Sequence, residues 1–110
     1  MNLVILAGHL SSNPIERELP SGTRVHNFEL TTQVEGAAVT VPLAWIDPRH
    51  VPALSVGDEI RVVGSVRRRF FRAGGATQSR TEVVVTSLVR GRDRRGLASQ
   101  ATLIERLMGA

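Results

Sequence analysis

The sequence predicts an all-β domain, a small Greek-key barrel of five strands, on three observations. Most of the chain alternates apolar and polar side chains with period two. Turn signals rich in glycine, proline, serine and asparagine interrupt that alternation at short intervals. Sustained helical periodicity is lacking until the C-terminal segment.

Residues 2–10 form a Val/Ile/Leu-rich run that stops at Ser11-Ser12-Asn13-Pro14, and residues 15–19 continue the strand after that kink. Pro20-Ser21-Gly22 is a strong turn signal, because proline presets φ and glycine tolerates positive φ. Residues 23–33 alternate, with His26, Phe28 and Leu30 on one face and Asn27, Glu29 and Thr31 on the other. Phe28 is assigned to the core. Glu35-Gly36 turns the chain into residues 38–46, where Val39, Val41, Leu43 and Trp45 share a face. Pro42 has no N–H to give a ladder, which predicts an edge strand or a bulge.

Asp47-Pro48 has the form of an N-cap followed by proline at the first helical position, and Pro52 limits that helix to one or two turns. Ser55-Val56-Gly57-Asp58 turns into a strand over residues 59–71, with Gly64 as a bend or bulge. Residues 79–89 form the last strand. Five strands with a short helical insert between the third and fourth is the order of an OB-fold, a partly open Greek-key barrel. Residues 90–96 read as a polar, glycine-flanked linker. Residues 97–108 then predict an amphipathic C-terminal helix with Leu97, Ala101, Ile104 and Met108 on one stripe. The division is residues 1–90 for the barrel and 91–110 for a basic linker and short C-terminal segment.

The 110 residues suffice for one core, and no apolar run approaches the roughly 20 residues of a membrane helix. The opening MNLVILAGHL has no basic n-region and reads as strand, not as a signal peptide. The chain has no cysteine, which excludes disulfides, thiolate metal sites and a cysteine nucleophile and is compatible with the cytoplasm. All 14 basic residues are arginine, and residues 67–95 hold nine of them against Glu82 and Asp93. The rest of the chain has five arginines against eight carboxylates. Positive charge is therefore concentrated in the second half, as on a polyanion-binding surface.

Residues 67–85, RRRFFRAGGATQSRTEVVV, focus that charge around two rings. A ring stacks on any unpaired base while guanidinium groups hold phosphates, so the pattern points to single-stranded nucleic acid. Arg68 and Phe70 share one strand face, Arg69 and Phe71 the other. Arg67, Arg68, Arg69 and Arg72 are expected to contact phosphate, with Arg80 joining them across the Gly74-Gly75 turn. Arg90 to Arg95 either extend this surface or form plain linker.

On three ordered motifs covering residues 2–89, the chain resembles the bacterial single-stranded DNA-binding protein family. These are NLVILAGHLSSNPIERELPSG, VGDEIRVVGSV and RRRFFRAGGATQSRTEVVV. The resemblance implies sequence-independent binding of single-stranded DNA in replication, repair or recombination. It puts Phe70 where the family has a base-stacking tryptophan, Trp45 near a stacking phenylalanine, and Arg17 and Arg68 at basic positions. It also implies a homo-oligomer, a tetramer with a dimer as the alternative, in the cytoplasm at the nucleoid. Residues 33–40 are shorter than the family's long hairpin arm, and the family's acidic tail has no counterpart in the ending IERLMGA. Both losses make the chain similar to the primosomal replication protein B family, as a short, tail-less paralogue.

His9, His26 and His50 lie on separate segments without metal-ligand spacing, and no GxSxG, P-loop or GxGxxG occurs. The expectation is a binding protein and not an enzyme, with no cofactor, metal or small-molecule substrate. Two rivals remain at this point: a primosome-type protein-interaction adaptor and an OB-fold RNA binder.

Overall fold

The alternating segments form six strands and the C-terminal segment one helix. They are β1 (Val4–Leu10), β2 (Ile15–Glu18), β3 (Arg24–Val34), β4 (Ala37–Ile46), β5 (Glu59–Ala73), β6 (Ala76–Arg90) and α1 (Arg94–Gly109). The structure is a computed structural model and describes residues 1–109; Ala110, the end of the expected C-terminal segment, lies outside the described residues.

The strands make one sheet in the order β1-β5-β6-β4-β3-β2, and a further β1–β3 pairing closes it. This is the predicted OB-fold, a five-stranded barrel with one strand added. The added strand arises because the first strand breaks at residues 11–14, so that β1 pairs with β5 and β2 pairs with β3. Ser11 and Ser12 secure the break against Glu29. The Ser11 N–H donates to the Glu29 carbonyl at 2.9 Å, and Ser12 Oγ accepts from the Glu29 N–H at 2.8 Å. The barrel is also closed where a partly open one was expected. Closure rests on two residue pairs, His9–Thr31 and Leu10–Leu30. Gly8 permits the approach, since a Cβ there would strike the Thr31 carbonyl.

Alternation fills the interior with Phe28 and Leu30 of β3, Leu43 of β4, Ile60 and Val62 of β5, and Val83, Val85 and Leu88 of β6. Truncating one of these, for example Leu43→Ala, carries a cost of about 2–5 kcal/mol. The β5–β6 hairpin runs well past the barrel and turns at Gly74-Gly75, both at positive φ, with Ala73 paired to Ala76. Two left-handed residues between paired strands make a type I′ turn, whose twist matches the strands. The last strand therefore starts three residues before the expected Ser79. The register of this hairpin slips at Val63/Gly64, which is the bulge predicted at Gly64.

Two expectations are corrected, and one is borne out in part. β4 meets β6 only at Leu43 and Ala44, so residues 37–42 have an unpaired edge, as Pro42 predicted. Pro42 is tolerated because its partner Glu29 sends both backbone groups to Ser11 and Ser12, so no β3–β4 bond is lost there. The helical insert is absent: residues 47–58 form an irregular loop. Asp47 sits at φ 44° and turns its carboxylate back to the Arg24 N–H at 2.8 Å, so it caps sheet, not helix. Finally, α1 begins at Arg94, capped by Asp93, whose Oδ1 accepts from the Gly96 N–H at 2.9 Å. The expected linker shrinks to a turn.

The helix docks on β5 and β6 through a polar residue. Gln100 is 2% exposed; its Oε1 accepts from Arg61 Nε at 2.6 Å, and its Nε2 donates to the Arg61 carbonyl and to Ser87 Oγ at 3.0 and 3.1 Å. Arg61 also donates to the Leu97 carbonyl at 3.0 Å. Leu97, Leu103 and Ile104 are half-buried around Gln100, while Ala101 and Met108, expected on the stripe, are exposed.

Candidate nucleic-acid interface

The hairpin register assigns every residue of the basic stretch to a face. Arg67 pairs with Glu82, Arg68 with Thr81, Arg69 with Arg80 and Phe70 with Ser79. Directly opposite residues share a face, so Val66, Arg68, Phe70 and Arg72 stand on one side with Ser79 and Thr81. Arg67, Arg69 and Phe71 stand on the other with Arg80 and Glu82.

On the first face Phe70 is 68% exposed, with the Arg68 guanidinium carbon 5.8 Å from its ring centroid. Arg68 donates through Nε and Nη2 to Ser79 Oγ at 3.1 and 2.9 Å, and Arg72 Nη2 donates to the Gly75 carbonyl at 3.0 Å. These partners orient both guanidinium groups but carry no counter-charge. Among the described residues neither arginine forms a salt bridge.

The second face is organised differently. Glu82 is only 2% exposed and accepts from Arg67 Nε at 2.9 Å and Nη2 at 2.8 Å, and from Arg69 Nε at 3.5 Å. A buried carboxylate needs such partners, because burying an unpaired charge is costly. Phe71 is half-buried, with the Arg69 guanidinium carbon 5.1 Å from its ring centroid. Arg67 and Arg69 are thus held by one shared anion. Arg80 lies beside them without a salt bridge among the described residues, at the edge of a depression of about 240 Å³ that includes Ile15 and Asn27. Arg17, exposed on β2, donates to Asn27 Oδ1 at 3.3 Å and so belongs to this side. Arg24 is neutralised separately by Glu16, whose hydrogen bond and charge raise its pKa above the ordinary arginine value.

Trp45 is not part of the hairpin. It shares the inner face of β4 with Leu43, is half-buried and packs on the core. Leu43 lies beside Val83, and Phe70 beside Ser79. Trp45 is therefore about six residues along β6 from Phe70, roughly 20 Å at about 3.3 Å per residue. It lines a cavity of about 870 Å³ at the far mouth of the barrel, together with Arg49, His50, Arg90 and Arg92. The first two of these fall where a helix was expected, and the last two at the expected linker.

The sequence reading also missed Glu82 as the organiser of the second face. A two-residue Gly74-Gly75 turn fixes the register, and that register alone sets Glu82 against Arg67.

No family model matches the chain, and no curated protein matches it by sequence. Among solved structures it is similar to a chain of the Plasmodium falciparum SSB complex with ssDNA, at a TM-score of 0.69 and 18% identity. The match covers 82% of this chain and 94% of that one. At this identity the likeness establishes the fold.

Proposed function

We propose that this OB-fold protein binds single-stranded DNA without sequence preference, using the Arg68–Phe70–Arg72 face of the β5–β6 hairpin as its platform. One observation carries the reading: a ring that is 68% exposed stands between two arginines whose partners are neutral. Phe70 would stack on a base, while Arg68 and Arg72 take phosphates and release counterions. The neighbour of like fold, an SSB described in complex with ssDNA, supports this choice. Arg80 and Arg17 extend the positive surface on the other side of the sheet, with Arg67 and Arg69 contributing less because Glu82 already holds them.

The role is non-enzymatic, that of a cytoplasmic, nucleoid-associated homo-oligomer serving replication, repair or recombination. Titrating labelled poly-dT, an equal RNA and a duplex across a salt series tests it. Preference for poly-dT at micromolar concentration or tighter, with log K falling steeply against log salt, is the expected outcome. Equal or undetectable binding to all three would sink the reading.

A further inference from the structure

β4 and β6 run side by side only at Leu43–Val83 and Ala44–Val84, and on the N-terminal side of that contact each continues as the arm of a separate hairpin. Residues 37–42 of β4 therefore have, among the described residues, one edge without a neighbouring strand, and residues 37–40 are exposed. The ladder to β3 fixes what this edge offers. Glu29, opposite Pro42, accepts from Ser11 and donates to Ser12, so its backbone groups point away from β4. Antiparallel pairs alternate between hydrogen-bonded and non-hydrogen-bonded, so Thr31–Thr40 and Gln33–Ala38 are also of the second kind. Ala38 and Thr40 thus turn N–H and C=O toward the open edge, while Pro42 turns a carbonyl alone.

An unpaired edge is a template for another strand, and proteins commonly guard it with charge. β2, at one end of the sheet, carries Glu16, Arg17 and Glu18. The β6 edge across the gap carries Arg80 and Glu82. β1 is partly covered where Thr32 Oγ1 donates to the Ala7 carbonyl at 2.7 Å. β4 has no such guard, since no charged residue lies between Glu35 and Asp47. Its inner face continues the core outward as Val41, Val39 and Ala37, with Val39 40% exposed. Two copies of a chain of net charge +4 repel each other, and this edge lets them meet without adding to that repulsion.

The edge also complements itself. Turned antiparallel about Val39, Ala38 stands opposite the partner's Thr40, and the outward N–H of each meets the outward carbonyl of the other. Val39 meets its own copy on the axis and Ala37 meets the partner's Val41, which makes the shared face apolar. We propose that the β4 edges of two copies pair antiparallel about a twofold axis at Val39, joining two sheets into one. The contact is isologous and closes as a dimer. It gives an interface to the homo-oligomer proposed above, and rests on that part of the reading and not on DNA binding.

The test measures mass by sedimentation over a micromolar concentration series without nucleic acid. The chain of 12.0 kDa should sediment at twice that mass. Thr40→Pro removes an outward N–H from each copy and, like Pro42, loses no bond to β3, so it should weaken the dimer at least about tenfold. The chain has no cysteine, so Val39→Cys adds one thiol per copy. Opposite residues of a non-hydrogen-bonded pair lie about 4.5 Å apart at Cα, inside the range of about 4.4–6.8 Å that a disulfide accepts. Mild oxidation should therefore link Val39→Cys into a covalent dimer, and Gln33→Cys, on the other strand of the arm, far more slowly. If Thr40→Pro fails to fold, the two cysteine variants decide. A monomer at every concentration would overturn the interface and the homo-oligomer together. An oligomer that Thr40→Pro leaves intact, or equal cross-linking of the two cysteine variants, would overturn the β4 interface alone. Absent poly-dT binding with the dimer intact would sink the DNA reading and leave this interface standing.

Discussion

The two faces of the β5–β6 hairpin carry nearly the same residue types and leave them in different states. Each has an arginine over a phenylalanine ring, Arg68 on Phe70 at 5.8 Å and Arg69 on Phe71 at 5.1 Å. On the first face the ring is exposed and the arginines bond neutral oxygens. On the second the ring is half-buried and two arginines converge on buried Glu82. One carboxylate thus separates a face available to phosphate from a face already satisfied. Counting arginines measures charge; the counter-ion decides how much of it is on offer.

The sharpest way to break this comparison is to remove each ring in turn. Phe70→Ala should weaken poly-dT binding by about 1–3 kcal/mol, roughly 5- to 150-fold, with little change in salt slope or thermal midpoint. Phe71→Ala should do the reverse, lowering the midpoint while affinity stays near wild type. Equal binding losses in paired titrations would show that the faces are not distinct.

Removing the carboxylate comes next. Glu82→Gln should cost about 1–3 kcal/mol of stability in a denaturant melt, below the 3–5 kcal/mol of a fully buried pair because Arg67 and Arg69 can regain water. The freed guanidinium groups should steepen the salt slope by up to about 0.7 each. A slope identical to wild type would mean that Glu82 withholds nothing from DNA.

Single arginines give smaller effects. Arg68→Ala should flatten the slope by about 0.7, and Arg67→Ala by less, with a loss of stability that Arg68→Ala does not share. Arg17→Ala should change the slope least, since β2 lies three strands from β6. A salt series on all three variants ranks them directly.

Much of this was legible from local rules. Phe28 in the core, the Glu35-Gly36 and Gly74-Gly75 turns and the bulge at Gly64 all follow from alternation and from positive φ. The misreadings share a cause, which is that a tertiary partner outbid the local preference. Asp47-Pro48 has the form of a helix start, but the Arg24 N–H across the sheet takes the Asp47 carboxylate. Gln100 is polar and so escaped a search for an apolar stripe, yet it is buried because Arg61 and Ser87 satisfy its amide. Within the candidate site, Phe70 and Arg68 could be grouped from alternation alone, whereas the distance from Trp45 to Phe70 depends on the parallel β4–β6 register. No local pattern encodes that pairing.

The two-pair junction between β1 and β3 makes the barrel a tube with a seam. Long ladders join β1 to β5, β3 to β4 and β5 to β6, and among the barrel junctions only the two-pair β4–β6 contact is as brief. Local opening follows the junctions of fewest bonds, so the amide protons of His9 and Thr31, which face one another across β1 and β3, should exchange with solvent ahead of those in the core of β5 and β6. Gly8→Ala, which drives a methyl at the Thr31 carbonyl, should hasten that exchange along the seam while the hairpin stays zipped. The molecule can therefore breathe at one side without loosening the platform on the other.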